Sequence, residues 1–306
     1  MAGQGLSLAG HVAVITGGSR GIGRAVALGF LEAGAPGVIV TAAASVDELK
    51  EVEDAARTIA GDGRCIGLKA DVTCYNDCVR VVAEAARRFG HLDVVVNNAA
   101  KGPRYTGDEI GPFWEADAEG WRLVMETNVN GPFHMAKAAV PGMIERGWGR
   151  IINVSKATEA MYQRRSSPEG PSKAALATAT LCWAQDLLGT GVTVNCVTPG
   201  GPTDTRFEPE HRRKNPRQHG HLMAPEVMNP ITLWLASDLS DGITGCRFTG
   251  RLWDPALPPA EAAERCRETP IFKKPVARTS PLIKAWQETP VGDDNHNRLP
   301  PGYVKS

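Results

Sequence analysis

The stretch Thr16-Gly17-Gly18-Ser19-Arg20-Gly21-Ile22-Gly23 constrains this chain more than any other. It ends an apolar, β-branched run over residues 11–16 and opens a helix-period segment over residues 24–33. Glycines at G-x-x-x-G-x-G spacing let the backbone turn tightly and leave no Cβ between its N–H groups and an incoming anion. The N-terminus of the following helix adds partial positive charge, so the turn is shaped to hold a pyrophosphate. Strand, turn and helix together predict the first unit of a doubly wound parallel sheet. They make Thr16, Gly17, Ser19, Arg20, Gly21, Ile22 and Gly23 candidate dinucleotide contacts.

Comparable runs recur at residues 38–41, 65–70, 92–97, 150–155 and 192–197, separated by segments with helix-period apolar residues such as Val79, Val82, Ala83 and Ala86. This alternation predicts an α/β, Rossmann-type fold of seven parallel strands with right-handed crossovers and ligands at the carboxyl ends of the strands. With 306 residues, 42% of them hydrophobic, the chain can fill one large core. Residues 1–250 read as a single dinucleotide-binding domain. Residues 251–306 hold nine prolines and little periodicity beyond 259–267, so they read as a C-terminal extension. Two forms of it stay open: a surface tail, or an arm that crosses a subunit interface or lids the site through Trp253, Phe272 and Trp286.

Thirty-four Lys and Arg balance thirty-four Asp and Glu, so no global field recruits nucleic acid or an anionic membrane, and a small-molecule substrate is expected. No apolar run approaches the ~18 residues of a spanning helix, and residues 1–10 lack a signal peptide's basic start and apolar stretch. A cytoplasmic location is expected. Seven cysteines without C-x-x-C pairs predict reduced thiols. Neither Cys74 with Cys78 nor His219 with His221 makes a metal site.

Further landmarks extend the pattern. Asp71-Val72 follow the third strand, Asn97-Asn98-Ala99-Ala100 end the fourth, Asn128 lies in Thr127-Asn128-Val129 on the long central helix, and Pro199-Gly200 follow the sixth strand. With Pro225-Glu226 and Thr244-Gly245, these motifs resemble the short-chain dehydrogenase/reductase family from residue 7 to about 250. The resemblance implies an oxidoreductase using a nicotinamide cofactor, contacted by Asp71, Val72, Asn98, Ala99, Lys173, Pro199 and Gly200, with Asn128 in the active site. It also implies a homo-oligomer, dimer or tetramer, formed through the helices near 117–146 and 171–189. A carboxylate at the end of the second strand would bind the ribose 2′-OH of NAD and repel the 2′-phosphate of NADP. Thr41-Ala42-Ala43-Ala44-Ser45 holds none, and the resemblance places Arg20 to meet that phosphate, so NADP is the expected cofactor.

In that family a Tyr hydroxyl exchanges the proton, a Lys four residues later lowers its pKa, and a Ser thirteen residues before the Tyr orients the substrate. Lys173, in Ser172-Lys173-Ala174-Ala175, matches the Lys; four residues back stands Glu169, and thirteen before that Lys156. The resemblance thus implies charged residues at both hydroxyl positions, with Lys156 beside Glu169 and both lysines holding Glu169 ionised. Tyr162, eleven residues before Lys173, is an alternative phenol that needs a refolded loop to reach the site, and Ser166, Ser167 and Ser172 are shorter alternatives. Ser155 neighbours Lys156, yet successive strand residues face opposite sides.

Three functions stay open. An NADP(H)-binding oxidoreductase with a non-standard site would act on an activated C=O, C=C or C=N group. There Glu169 would be a base or stabilise an iminium, and Lys156 would bind a substrate carboxylate or form a Schiff base. A non-redox lyase or cyclase would keep the cofactor as structure and use Glu169 or Lys156. A catalytically silent binding protein would hold the ion pair as a plug. Asp204 stands at the usual spacing of the Thr that holds the nicotinamide carboxamide. The following stretch carries Arg206, Arg212, Arg213, Lys214 and Arg217, either a solvated loop or a recognition element for an anionic or acyl-CoA substrate.

Overall fold

Successive strand residues drop into two different apolar layers, and this alternation builds the molecule. In β1 (Ala13–Ile15), Ala13 and Ile15 join one layer while Val14 joins the other; in β4 (Val94–Asn97), Val94 and Val96 part from Val95 in the same way. Both faces are therefore covered, which is why the strands read as continuous apolar runs. A computed structural model describes residues 5–102, 105, 111–207 and 222–268. These residues lie in one compact unit, Met1–Glu268.

The remaining strands are β2 (Val38–Ala42), β3 (Cys65–Lys69), β5 (Gly149–Val154), β6 (Val192–Thr198) and β7 (Arg247–Thr249). All pair in parallel in the order β3-β2-β1-β4-β5-β6-β7. The order reverses between β1 and β4, so their carboxyl ends open the crevice in which such sheets bind ligands. One face is covered by α1 (Gly21–Glu32) and α2 (Val46–Ala60), through Val26, Phe30, Leu49 and Val52. The other is covered by α3 (Tyr75–Phe89), through Cys78 and Val81.

A long helical rod crosses that second face. It consists of α4 (Ala118–Met125), one π turn (Glu126–Asn130) and α5 (Gly131–Arg146), with Asp117 capping its start by accepting from the Gly120 N–H at 2.6 Å. The wider turn falls at Asn128 and buries that side chain completely. After β5 come the one-turn α6 (Thr158–Met161) and α7 (Glu169–Asp186), which carries Lys173. Then follow α8 (Asn229–Ala236) and α9 (Pro259–Cys266).

The packed unit continues past residue 250, beyond the boundary expected from composition. Ala262, Ala263 and Cys266 of α9 are buried, Phe248 bridges Arg267 in antiparallel fashion, and the Glu268 N–H donates to the Arg247 carbonyl at 2.8 Å. Small side chains on a one-sided helix carry too weak an apolar signal to announce this packing. Residues 269–306, with Phe272 and Trp286, lie outside the described residues. Among those described, no helix is long and apolar enough to cross a membrane and no cluster of side chains is arranged for a metal ion. All seven cysteines are free thiols.

Candidate active site

The glycine-rich turn is pinned to the end of β4. Asn98 donates its side-chain amide to the carbonyls of Thr16 and Gly17 at 2.9 and 3.0 Å, and the Thr16 hydroxyl accepts from the N–H groups of Asn98 and Ala99, both at 3.0 Å. Gly17 has φ +62°, and a Cβ on Gly23 would lie 2.5 Å from both Asn98 Nδ2 and the Gly17 carbonyl. Only glycine fits there. Helix α1 starts at Gly21 with no acid in its first turn, so its N-terminus faces the crevice without a counter-charge of its own. This cradle fits the pyrophosphate of a dinucleotide. Ile22 packs against the core, and Asp71 caps its own turn, accepting from Thr73 N–H and hydroxyl at 2.9 and 2.8 Å. The Val72 carbonyl bonds His134 Nδ1 at 2.9 Å. On the far side Pro199 accepts from the Arg251 N–H at 3.2 Å and Gly200 donates to the Thr198 hydroxyl at 3.3 Å.

The end of β2 holds no carboxylate, and an acid, Glu48, stands a few residues on, beside the glycine-rich turn. From the first turn of α2 its carboxylate accepts from the Ser19 hydroxyl at 3.1 Å and from Arg20 Nη1 at 3.2 Å, and Arg206 Nη1 adds a bond at 2.6 Å. Burial works to raise the Glu48 pKa, but Arg20, Ser19 and Arg206 together hold it below the usual carboxylate range. A signal was present in Ser45-x-x-Glu48, a capping-box spacing, yet Ser45 makes no cap bond and Glu48 turns to Arg20 instead.

Arg206 belongs to a segment that lies across the turn. Thr205 sits against Gly21, whose added Cβ would be 2.9 Å from Thr205 Cγ2, and the Phe207 ring lies over Gly102. Arg20, Gly21, Arg24, Asp204, Thr205 and Arg206 line a groove of about 220 Å³. Asp204 is held by its backbone, donating to the Met223 carbonyl at 2.8 Å. Arg212, Arg213, Lys214, Arg217, His219 and His221 lie outside the described residues.

Deeper in the crevice, four candidates converge. Asn128 accepts from the Lys101 N–H at 2.8 Å and donates to the Lys101 carbonyl and the Ser172 hydroxyl, both at 2.9 Å. Ser172, buried, donates its hydroxyl to the Glu169 carbonyl at 2.7 Å. Lys156 Nζ reaches Glu169 Oε2 at 3.0 Å and Ser166 Oγ at 3.4 Å. Lys173 Nζ donates to the Val154 carbonyl at the end of β5 at 2.8 Å. Burial is the main influence on Lys173 and Lys156 adds repulsion, so the ammonium is pushed down to about 8 despite Glu169 and Cys196. Ser155 is directed elsewhere, to the Lys173 carbonyl at 3.4 Å. Tyr162 is not brought into this cluster: it follows α6 with 73% of its surface exposed.

The Lys156 backbone is braced from behind. Arg247 Nη2 donates to its carbonyl at 3.0 Å, while Arg247 Nε binds Glu268 Oε2 at 3.0 Å. Glu268 also accepts from the hydroxyls of Thr158 at 3.2 Å and Thr249 at 2.7 Å. None of these four residues stands out in the sequence, because their relation is purely tertiary.

A seven-stranded doubly wound sheet with a glycine cradle at the carboxyl end of β1 defines the class of Rossmann-type nucleotide-binding folds. The short chain dehydrogenase family profile matches residues 11–216, and the chain belongs to that family, whose members are oxidoreductases using NAD(P). It is 34% identical over 242 residues to a short-chain type dehydrogenase/reductase of Picea abies, covering 76% of this chain and 87% of the relative. It is 33% identical over 241 residues to an acetoacetyl-CoA reductase of Shinella zoogloeoides, covering 77% and 94%. A structure from Beutenbergia cavernae, assigned there as an NAD(P)-dependent gluconate 5-dehydrogenase and holding NADP at low occupancy, superposes with a TM-score of 0.69. It is 29% identical, with 80% of this chain and 96% of that one covered.

Proposed function

We propose that this chain is an NADP(H)-dependent oxidoreductase with a non-standard active site, acting on an activated C=O, C=C or C=N group. The observation that carries this reading is the Lys156–Glu169 ion pair, 3.0 Å long, beside buried Lys173. A bound nicotinamide would supply or accept the hydride. Lys156 orients the substrate: an ammonium has three protons, and with Glu169 and Ser166 as its partners it keeps one for a substrate oxygen or carboxylate. Glu169 fixes that ammonium in place. Asn128 holds the Lys101 backbone and Ser172 so that the walls of the site do not shift. Lys173, with its lowered pKa, can give up or take a proton near neutral pH.

NADP is favoured over NAD because the end of β2 holds no carboxylate and Arg20 and Arg206 stand together beside the glycine-rich turn. The acetoacetyl-CoA reductase relative supports an acyl-CoA or other anionic substrate. Exposed Phe133, Ile144 and Leu188, on α5 and just after α7, support assembly into a homo-oligomer. The test is NADPH consumption against a panel of carbonyl, enoyl and imine compounds, with anionic and neutral versions of each. Turnover of an anionic member is expected. Tight NADPH binding with conversion of substrate but no NADPH oxidation would replace this reading with a non-redox lyase or cyclase; binding with no conversion would leave a silent binding protein.

A further inference from the structure

Four side chains from three separate parts of the chain meet beside the glycine-rich turn. Ser19 and Arg20 come from the turn, Glu48 from α2 and Arg206 from the segment after β6, 158 residues away from Glu48. Glu48 is the enclosed member, with its side chain 16% exposed against 42% for Arg20 and 63% for Arg206. Its two oxygens accept one hydroxyl and two guanidinium groups, the donor set that also suits a phosphate. Within the cluster two guanidiniums share one carboxylate, and the adjoining groove is lined by Arg24 as well as by Asp204 and Glu226.

We infer that Glu48 is a built-in stand-in for the 2′-phosphate of the cofactor, and that Arg206 is a second phosphate-reading residue supplied from the segment after β6. The inference rests on the NADP reading above and names the groups that carry it. When the phosphate arrives it takes Arg20 and Arg206 from Glu48; without a phosphate, Glu48 keeps both arginines. Because Thr205 and Phe207 flank Arg206 and pack on Gly21 and Gly102, the residue that reads the phosphate also ties this strap across the turn. An acid within hydrogen-bonding reach of the ribose end would ordinarily exclude NADP. Here the two guanidiniums convert it into an exchangeable occupant.

The experiment is calorimetric titration of the full chain with adenosine 2′,5′-bisphosphate and with 5′-AMP. Neither carries nicotinamide, so turnover plays no part in the result. Arg206→Ala is expected to weaken the bisphosphate about tenfold, the loss of one charge-assisted contact, and to leave 5′-AMP within about twofold. Arg206→Lys keeps the charge and should recover part of the loss. Glu48→Gln keeps an acceptor for Ser19 but releases the arginines, so the bisphosphate should bind several-fold tighter. Equal weakening of both ligands by Arg206→Ala would reduce Arg206 to a strap residue and overturn the inference, as would weaker bisphosphate binding in Glu48→Gln. If the unmutated chain binds 5′-AMP as well as the bisphosphate, the NADP reading itself falls, and this inference with it.

Discussion

Lys156 and Glu169 sit thirteen residues apart in the chain and 3.0 Å apart in space, one just beyond the end of β5 and the other in the first turn of α7. Glu169 is 7% exposed, so removing Lys156 strands a carboxylate away from water. A fully buried pair broken on one side loses ~3–5 kcal/mol, and water at the Lys156 end reduces that figure. We expect Lys156→Met and Glu169→Gln each to destabilise by ~1–3 kcal/mol. The double variant should lose less than the sum, in a urea-unfolding cycle. Additive losses would mean that the two charges are not coupled.

The same pair can be exchanged for the hydroxyls that the family resemblance leads one to expect. Lys156→Ser/Glu169→Tyr keeps net charge unchanged and puts a phenol one helical turn before Lys173. The double variant is expected to fold, bind NADPH and reduce simple ketones that the unmutated chain ignores. A folded, cofactor-binding variant with no such gain would show that these two positions do not face the reacting carbon.

Lys173 makes stability depend on pH. The folded chain releases its proton near 8 while the ordinary value is 10.5, so between these values the unfolded chain holds more protons. Stability therefore rises with pH across that window, by up to about 3 kcal/mol from this group, and the penalty is present in full below it. In Lys173→Met that contribution is absent. Unfolding free energies of the two proteins, measured from pH 7 to 10.5, should diverge in favour of the unmutated chain; a constant difference would contradict the burial of a charged Lys173.

Gly23→Ala tests the cradle. Its methyl group would press on Asn98 Nδ2 and the Gly17 carbonyl at once, and those two atoms are bonded to each other at 3.0 Å. Overpacking of this kind costs ~1–3 kcal/mol. NADPH affinity should fall at least about tenfold, since the turn can no longer close on a pyrophosphate. Unchanged affinity would place the cofactor elsewhere.

What could be read from the chain was local or periodic. The strand runs, the glycine turn and the Lys156/Glu169/Lys173 spacing are all short-range patterns, and each maps onto one strand end or one helix turn. Glu48 escaped because its partners come from the glycine turn and from a segment 158 residues away, and the first turn of α2 lies beyond the strand end where an acid was sought. Ser172 is legible as a hydroxyl next to Lys173, but its link between Asn128 and the Glu169 carbonyl is tertiary and leaves no local pattern. After residue 250 only the 259–267 stretch is legible as ordered, and proline content says nothing about whether its Ala262, Ala263 and Cys266 find a core to enter.

The brace formed by Arg247 and Glu268 sets a lower limit on how short a functional version of this protein can be. A chain ended at residue 250 would keep every strand of the sheet and the whole glycine cradle, and would look complete by topology. It would nevertheless leave Arg247, Thr158 and Thr249 without their shared carboxylate, and so loosen the guanidinium that donates to the Lys156 carbonyl. Such a fragment would lack the carboxylate that joins β7 to the start of α6, so the folded unit around Lys156 is closed by Glu268 rather than by the last strand.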